Sequence, residues 1–323
     1  NLPKKGAVLF AVSHPNGLLD PLFVTTTNRR QNHFLVRAAS FKNPLIKKVL
    51  ESLYLMPIYR IRDGIQQLAN NQEIFEKCYS ILQKEESLMI FPEESHDKKR
   101  SVRPLSKGFT RIVSGALEKY PDLEIQVVPV GVTYQHPSDF PAKVSVHYGS
   151  PIATREIFTQ NAPAKAINIL KASVTAQLKT LSVHIPDNEN YETVLNSLNE
   201  AQVDFTDVEA VNRRIATGRF PQKKAAKKNL LKPLRYLILL NSLFPFLLWK
   251  IALKKIDEIE FIDTFRFGLH LFLIPFFYSL QGLLIASFYG SFIGFFYVTV
   301  SAMLIVLYVK CAPTNAKDHE VGK

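Results

Sequence analysis

Cysteine is scarce in this chain of 323 residues: there are two, Cys78 and Cys311, far apart in sequence. That excludes a disulfide-stapled fold and a C-x-x-C redox or zinc motif, and both read as free thiols of a reducing compartment. Other signatures of cofactor chemistry are missing as well. There is no H-E-x-x-H, no Walker loop and no G-x-G-x-x-G, which argues against a metal or nucleotide enzyme. There is no G-x-S-x-G elbow, which disfavours a serine hydrolase. No charged segment leads into a short apolar stretch with a cleavage site, so no signal peptide is expected. Residue 1 is Asn and a strand-like run follows almost at once, so the natural start is expected to lie upstream. Repeats of domain size and low-complexity tracts are absent too.

What the chain has in excess is positive charge and apolar length. Lys and Arg number 40 against 28 Asp and Glu, a net charge of +12. Such a balance suits nucleic acid, an anionic membrane surface or anionic small molecules. Apolar residues make up 47% of the chain, and most of the long apolar runs fall in its last third. There "FGLHLFLIPFFYSLQGLLIASF" (267–288) and "SFIGFFYVTVSAMLIVLYV" (291–309) are each long enough to cross a bilayer, and only Tyr289-Gly290 separates them. They read as a tight membrane hairpin. Gly290 and Gly294, and Gly282 and Ala286, have the spacing of helix-packing faces, or of chance in a Gly-tolerant span. "LRYLILLNSLFPFLLW" (234–249) is shorter and holds Asn241 and Pro245, so an interfacial or re-entrant segment is expected. Arg266, Lys310 and the lysines from Lys223 to Lys255 flank these blocks and put both outer ends of the hairpin on the cytoplasmic side. Cations placed beside apolar spans suit an anionic membrane and argue against nucleic acid.

The first 185 residues alternate strand-like and helix-like stretches, the pattern of an α/β domain with a mixed sheet flanked by helices. "AVLFAV" (7–12) reads as a strand buried on both faces. "LMPIYR" (55–60), "SLMIFP" (87–92), "IQVVPVGVTY" (125–134) and "AKVSVHYG" (142–149) read as further strands, and 65–84 as an amphipathic helix. Residues 186–229 are polar and charged and read as a connecting segment. The membrane region is expected over 230–312 and a tail over 313–323.

Four stretches stand at strand ends. In "VSHPNGLLDPLF", His14 precedes Asp20 by six residues across a Pro-Asn-Gly turn. Asp20 before Pro21 reads as an N-cap. It reads equally as a carboxylate folded back onto one nitrogen of His14, the arrangement of an oriented general base. A regular helix cannot make that contact, because six residues turn the side chain away by about 120°. In "MPIYRIRDG", Arg60 and Arg62 lie on one side of a strand end, with forks suited to phosphate or carboxylate. In "IFPEESHDKKRSVRPLSKGFTRI", Glu93 and Glu94 lead into a basic loop, a solvated surface or an anion site, with Lys107 among its candidate anion-binding cations. In "VVPVGVTY", Pro129 suggests an edge or bulge position.

In this order His-x5-Asp, Pro-Ile-Tyr-Arg, Phe-Pro-Glu-x-Ser and Val-Pro-Val resemble the four consecutive blocks of the glycerolipid O-acyltransferase family, which includes glycerol-3-phosphate and lysophosphatidate acyltransferases. The resemblance covers about residues 2–150, so 1–185 is expected to be the acyltransferase domain. It implies that His14 is the general base and Asp20 orients it, that Arg60 holds the acceptor's phosphate, and that Phe91, Pro92 and Glu93 line the acceptor site. It links Val128 and Pro129 to the acyl-donor pocket. The family's first spacing is usually one residue shorter, and its third block usually has Gly where Glu94 stands. The implied reaction needs no cofactor and no metal. Acyl-CoA or acyl carrier protein is the donor, and glycerol 3-phosphate or a lysophospholipid the acceptor, at a bacterial inner membrane or endoplasmic reticulum. A transacylase that needs no coenzyme A, and a non-catalytic lipid-binding protein on the same fold, are the competing readings.

Overall fold

The structure, a computed structural model, describes residues 2–59, 71–95, 97–136, 140–220, 222, 225, 228–256 and 262–314. Strand β1 (Ala7–Val12) lies in the middle of a seven-stranded sheet, and all six of its residues are buried. The apolar run has no polar face because both sides are covered. Ala7, Leu9 and Ala11 point to one side, against Cys78 and Leu82, Phe109 and Ile112, and Leu170 and Val174. These come from helices α3 (Asn71–Gln83), α4 (Gly108–Lys119) and α6 (Pro163–Leu181); α2 (Pro44–Ser52) comes earlier in the chain and α5 (Thr154–Gln160) between α4 and α6. Val8, Phe10 and Val12 point to the other, against Val24 of α1 (Leu19–Thr27). This is the two-residue alternation of a pleated strand. At ~25 cal/mol per Å² of apolar surface, burial of this kind is the main force holding the sheet.

The strand order is β3 (Leu55–Ile58), β2 (Asn32–Arg37), β4 (Ser87–Ile90), β1, β5 (Ile125–Tyr134), β6 (Val144–Tyr148), with the short β7 (Ile152–Ala153) also on β5. The pairs from β3 to β5 are parallel, and β6 and β7 are antiparallel to β5. Phe10 stands level with Met89 on one neighbour and Val128 on the other. The carboxyl ends of β4, β1 and β5 therefore open side by side on one edge, where ligands of open α/β sheets bind. Pro129 is neither on an edge strand nor in a bulge. It sits where the partner of β5 changes from β7, paired through Val127, to β6, paired from Val130. Its carbonyl accepts from the Gly149 amide at 2.8 Å at that corner, where a missing N–H costs no ladder bond.

The stretch 186–229, expected as a polar connector, folds in its first part. Helices α7 (Tyr191–Glu200) and α8 (Val208–Thr217) enclose a separate apolar cluster of Tyr191, Leu195, Leu198, Phe205, Val208 and Val211. The few apolar residues recur at helical spacing, and the polar majority faces outward.

Helices α9 (Lys232–Asn241) and α10 (Leu243–Leu253) meet at 86°, as a broken span or re-entrant loop does. Helices α11 (Ile262–Tyr289) and α12 (Ser291–Cys311) are both long and apolar enough to cross a membrane. Gly290, at φ +92°, turns one into the other. Gly294 then lies so close to Gly282 and Ala286 that an added Cβ would fall 2.4 Å from the Gly282 carbonyl oxygen. Substituting Gly294→Leu should cost about 1–3 kcal/mol by overpacking. Gly268→Leu should cost nothing of the kind, since, apart from its chain neighbours and its own helix backbone, nothing lies within 4 Å of its Cβ position. Thermal unfolding in detergent, followed by circular dichroism, checks this: equal midpoints for the two variants would contradict the crossing.

Candidate active site

His14 leaves the end of β1 through Ser13, which prolongs the ladder. The Ser13 amide donates to the Val130 carbonyl at 2.9 Å, and the Ser13 hydroxyl oxygen accepts from the Val132 amide at 2.9 Å. The next turn brings His14 Nδ1 to 2.8 Å from Asp20 Oδ2. Asp20 is fully buried in the first turn of α1 and does not cap that helix. Its Oδ2 also accepts the Asn16 amide at 2.7 Å, and its Oδ1 accepts the Tyr134 hydroxyl at 2.7 Å. Burial pushes the Asp20 carboxyl well above the usual carboxylate range, while the Tyr134 and Asn16 donors pull it back. The contact engages Nδ1 and leaves Nε2 as the ring's other nitrogen. The imidazole stacks on Phe91, with ring centroids 4.1 Å apart.

Phe91, Pro92 and Glu93 come after β4, beside the His14 turn. The Glu93 side chain is 5% exposed and paired with Arg103 at 2.9 Å. Arg103 also donates to the Ser95 hydroxyl at 2.6 Å and to the Ser95 carbonyl, tying the loop into a tight turn. Glu94, between them, adopts φ +64°, a backbone that glycine takes at no steric cost. His14, Glu93, Lys98 and Arg100 face one cleft. Arg100 is not part of a solvated run. It is buried, donates to the Tyr134 and Gln135 carbonyls at 2.8 and 2.9 Å, and lies 3.6 Å over the Phe205 ring. Burial lowers its pKa to about 10.

The remaining candidates fall elsewhere. Lys107 is exposed at the start of α4. Val128 and Pro129 are buried in the sheet, Val128 beside Phe10 and Val24, and neither lines the cleft. Arg60 lies outside the described residues. Among the described residues no three His, Cys, Asp or Glu converge as a metal site would require.

Sequence reasoning missed Tyr134, Asp263 and Thr264. Tyr134 could have been found as the residue closing the strand of the fourth block. The other two stand at the head of α11, where an acid in the first turn is an ordinary helix feature. Asn16 Nδ2 donates to Asp263 Oδ2 at 3.1 Å, and the Leu18 amide donates to the Thr264 hydroxyl at 3.0 Å.

Residues 1–133 match the family model described as Acyltransferase. These residues carry the parallel strands and the His14 turn at their carboxyl edge, so the match falls on the site itself. Two proteins of Saccharomyces cerevisiae are similar to this chain over a comparable length. Glycerol-3-phosphate O-acyltransferase 1 is 25% identical over 127 residues, 38% of this chain and 16% of that protein. Glycerol-3-phosphate O-acyltransferase 2 is 26% identical over 129 residues, 39% of this chain and 17% of that protein. The chain thus spans about a sixth of the length of these curated relatives. A solved structure, the 1-acyl-sn-glycerophosphate acyltransferase PlsC of Thermotoga maritima, superposes with a TM-score of 0.40 at 14% identity, over 56% of this chain and 68% of that one. Over residues 1–133 the chain is thus similar to acyltransferases, glycerol-3-phosphate acyltransferases among the relatives it matches.

One consequence of the buried Glu93 is a pH dependence of stability. Burial, the largest effect, pushes its carboxyl from 4.5 to about 7, against the pull of Arg103. The folded state therefore holds this proton more tightly than the unfolded state. Glu93's favourable contribution is complete below about pH 4.5 and is lost as pH rises through about 7. Between roughly pH 5 and 8 the thermal midpoint of the wild type should fall relative to that of Glu93→Gln. Parallel curves would contradict a proton on Glu93 in this range.

Proposed function

We propose that this chain is a membrane-bound O-acyltransferase of phospholipid synthesis. It moves an acyl chain from the thioester of acyl-CoA or acyl carrier protein to a hydroxyl of 1-acylglycerol 3-phosphate or glycerol 3-phosphate. The observation that carries the reading is the His14–Asp20 contact on the turn that leaves β1. His14 Nε2 takes the hydroxyl proton as the alcohol oxygen attacks the thioester carbonyl. The tetrahedral oxyanion collapses, the C–S bond breaks, and the thiolate leaves as a thiol with the proton from His14. The thioester is already activated, so no covalent enzyme intermediate is needed, and base catalysis supplies about 10²–10⁴ in rate. Phe91 against the imidazole fixes the plane of the ring.

The names of the two yeast relatives support the glycerol 3-phosphate backbone that both acceptors share. Arg60 and Lys107 are proposed to hold the acceptor's phosphate, Phe91, Pro92 and Glu93 to line its site, and Val128 and Pro129 to support the donor pocket. The hairpin supports membrane attachment, and contact between the head of α11 and the His14 turn sets the cleft at the end where α11 begins. A site there favours an acceptor already in the lipid, 1-acylglycerol 3-phosphate, with the domain on the cytoplasmic side.

With radiolabelled acyl-CoA and each acceptor, His14→Ala should lose about 10²–10⁴-fold in kcat. Asp20→Asn should fall steeply as well, because the amide can present its N–H to Nδ1 and favour the wrong tautomer. Full activity in both variants would overturn the mechanism. Equal transfer with and without a thioester donor would favour a transacylase.

A further inference from the structure

We infer that Asp263 and Thr264, in the first turn of membrane helix α11, are positioning residues that hold the His14 turn in its working geometry. Acyl transfer then depends on a docked hairpin, an inference that rests on the proposed role of His14.

The turn between His14 and Asp20 is short. Its Pro-Asn-Gly sequence favours many loop geometries, yet one of them is needed to close His14 onto Asp20. Asn16 is the pivot. Its amide binds Asp20 at 2.7 Å, its own side-chain oxygen accepts the Gly17 amide at 2.9 Å, and its Nδ2 reaches Asp263 at 3.1 Å. Asn16 is 1% exposed and Asp263 7%, so these bonds form away from water, where an unmade partner is expensive. Two residues on, the Leu18 amide precedes α1, and no intrahelical carbonyl is available to it. Thr264 Oγ1 takes it at 3.0 Å. Both ends of the turn are thus fastened to one turn of one helix from the other end of the chain.

Charge holds that helix head in place. Lys98, from the loop that carries Glu93, lies 3.9 Å from Asp263 Oδ2, and Arg266 lies 3.5 Å from Oδ1. Asp263 therefore joins the His14 turn, the loop after β4 and the membrane helix. A hairpin pulled out of register would take its acceptor groups from Asn16 and Leu18 together.

The test uses the full chain in lipid nanodiscs. Thr264→Val keeps the shape of the side chain and removes only the acceptor for the Leu18 amide, whereas Thr264→Ser keeps it. Thr264→Val should lower kcat about 10–100-fold with the KM for acyl-CoA unchanged, the size expected for a displaced catalytic group. Thr264→Ser should restore it. Asp263→Ala should fall at least as far, with Asp263→Asn, which keeps an oxygen for Asn16, in between. Amide hydrogen exchange by mass spectrometry reads the turn without any assay: residues 15–19 should exchange faster in Thr264→Val and not in Thr264→Ser. Wild-type kcat and unchanged exchange in Thr264→Val would overturn the inference. A wild-type chain inert with every donor would sink the proposed function instead, and the exchange comparison would still decide whether α11 holds the turn.

Discussion

Everything at this site rests on one carboxylate that has given up water. Asp20 is sealed under the end of the sheet, and its two oxygens are met by an imidazole nitrogen, a backbone N–H and a phenol O–H. A buried acid with those donors missing would take up a proton and let the histidine go. With them in place burial still outweighs their pull on its pKa, and they fix the carboxyl in position. Two of these partners come from the turn after β1 and one from the end of β5, and the head of α11 acts on them only through Asn16.

That convergence comes from sheet order. Three adjacent parallel strands, β4, β1 and β5, end on the same edge, so the segments leaving them converge. The loop after β4 brings Phe91 against the imidazole and Glu93 into the cleft. The end of β5 brings Tyr134 to Asp20. The hairpin of α11 and α12, long and apolar enough to cross a membrane, adds the last constraint, so the segment proposed to anchor the chain also touches the proposed catalytic turn. Buried Arg100 plays a plainer part. It fastens the basic loop to the carbonyls that end β5 and to the small α7–α8 core.

Much of this was legible in the residues. The unbroken apolar run 7–12 and the ten residues 125–134 have the lengths and bounds of β1 and β5, because strands covered on both faces are apolar at nearly every position. His14 and Asp20 were legible as a pair with two meanings, an N-cap or an oriented base. Local spacing could not choose between them, since the choice depends on Tyr134 and Asn16 filling the other bonds of the carboxylate. β2 was missed because its burial is partial and its sequence, Asn-His-Phe-Leu-Val-Arg, is polar at both ends. The fold of 186–217 was hidden by composition, as a small core needs few apolar residues. Asp263 and Thr264 were beyond reach, because they lie 246–247 residues from the turn they bind.

The central claim is that Asp20 holds His14 by Nδ1. Nitrogen-15 NMR of the full chain, labelled at histidine and assigned by comparison with His14→Gln, reads this directly at neutral pH. A His14 signal with its proton on Nδ1 and an unprotonated Nε2, lost or inverted in Asp20→Ala, is the result expected. A proton on Nε2, or a spectrum indifferent to the loss of the Asp20 carboxylate, would contradict it.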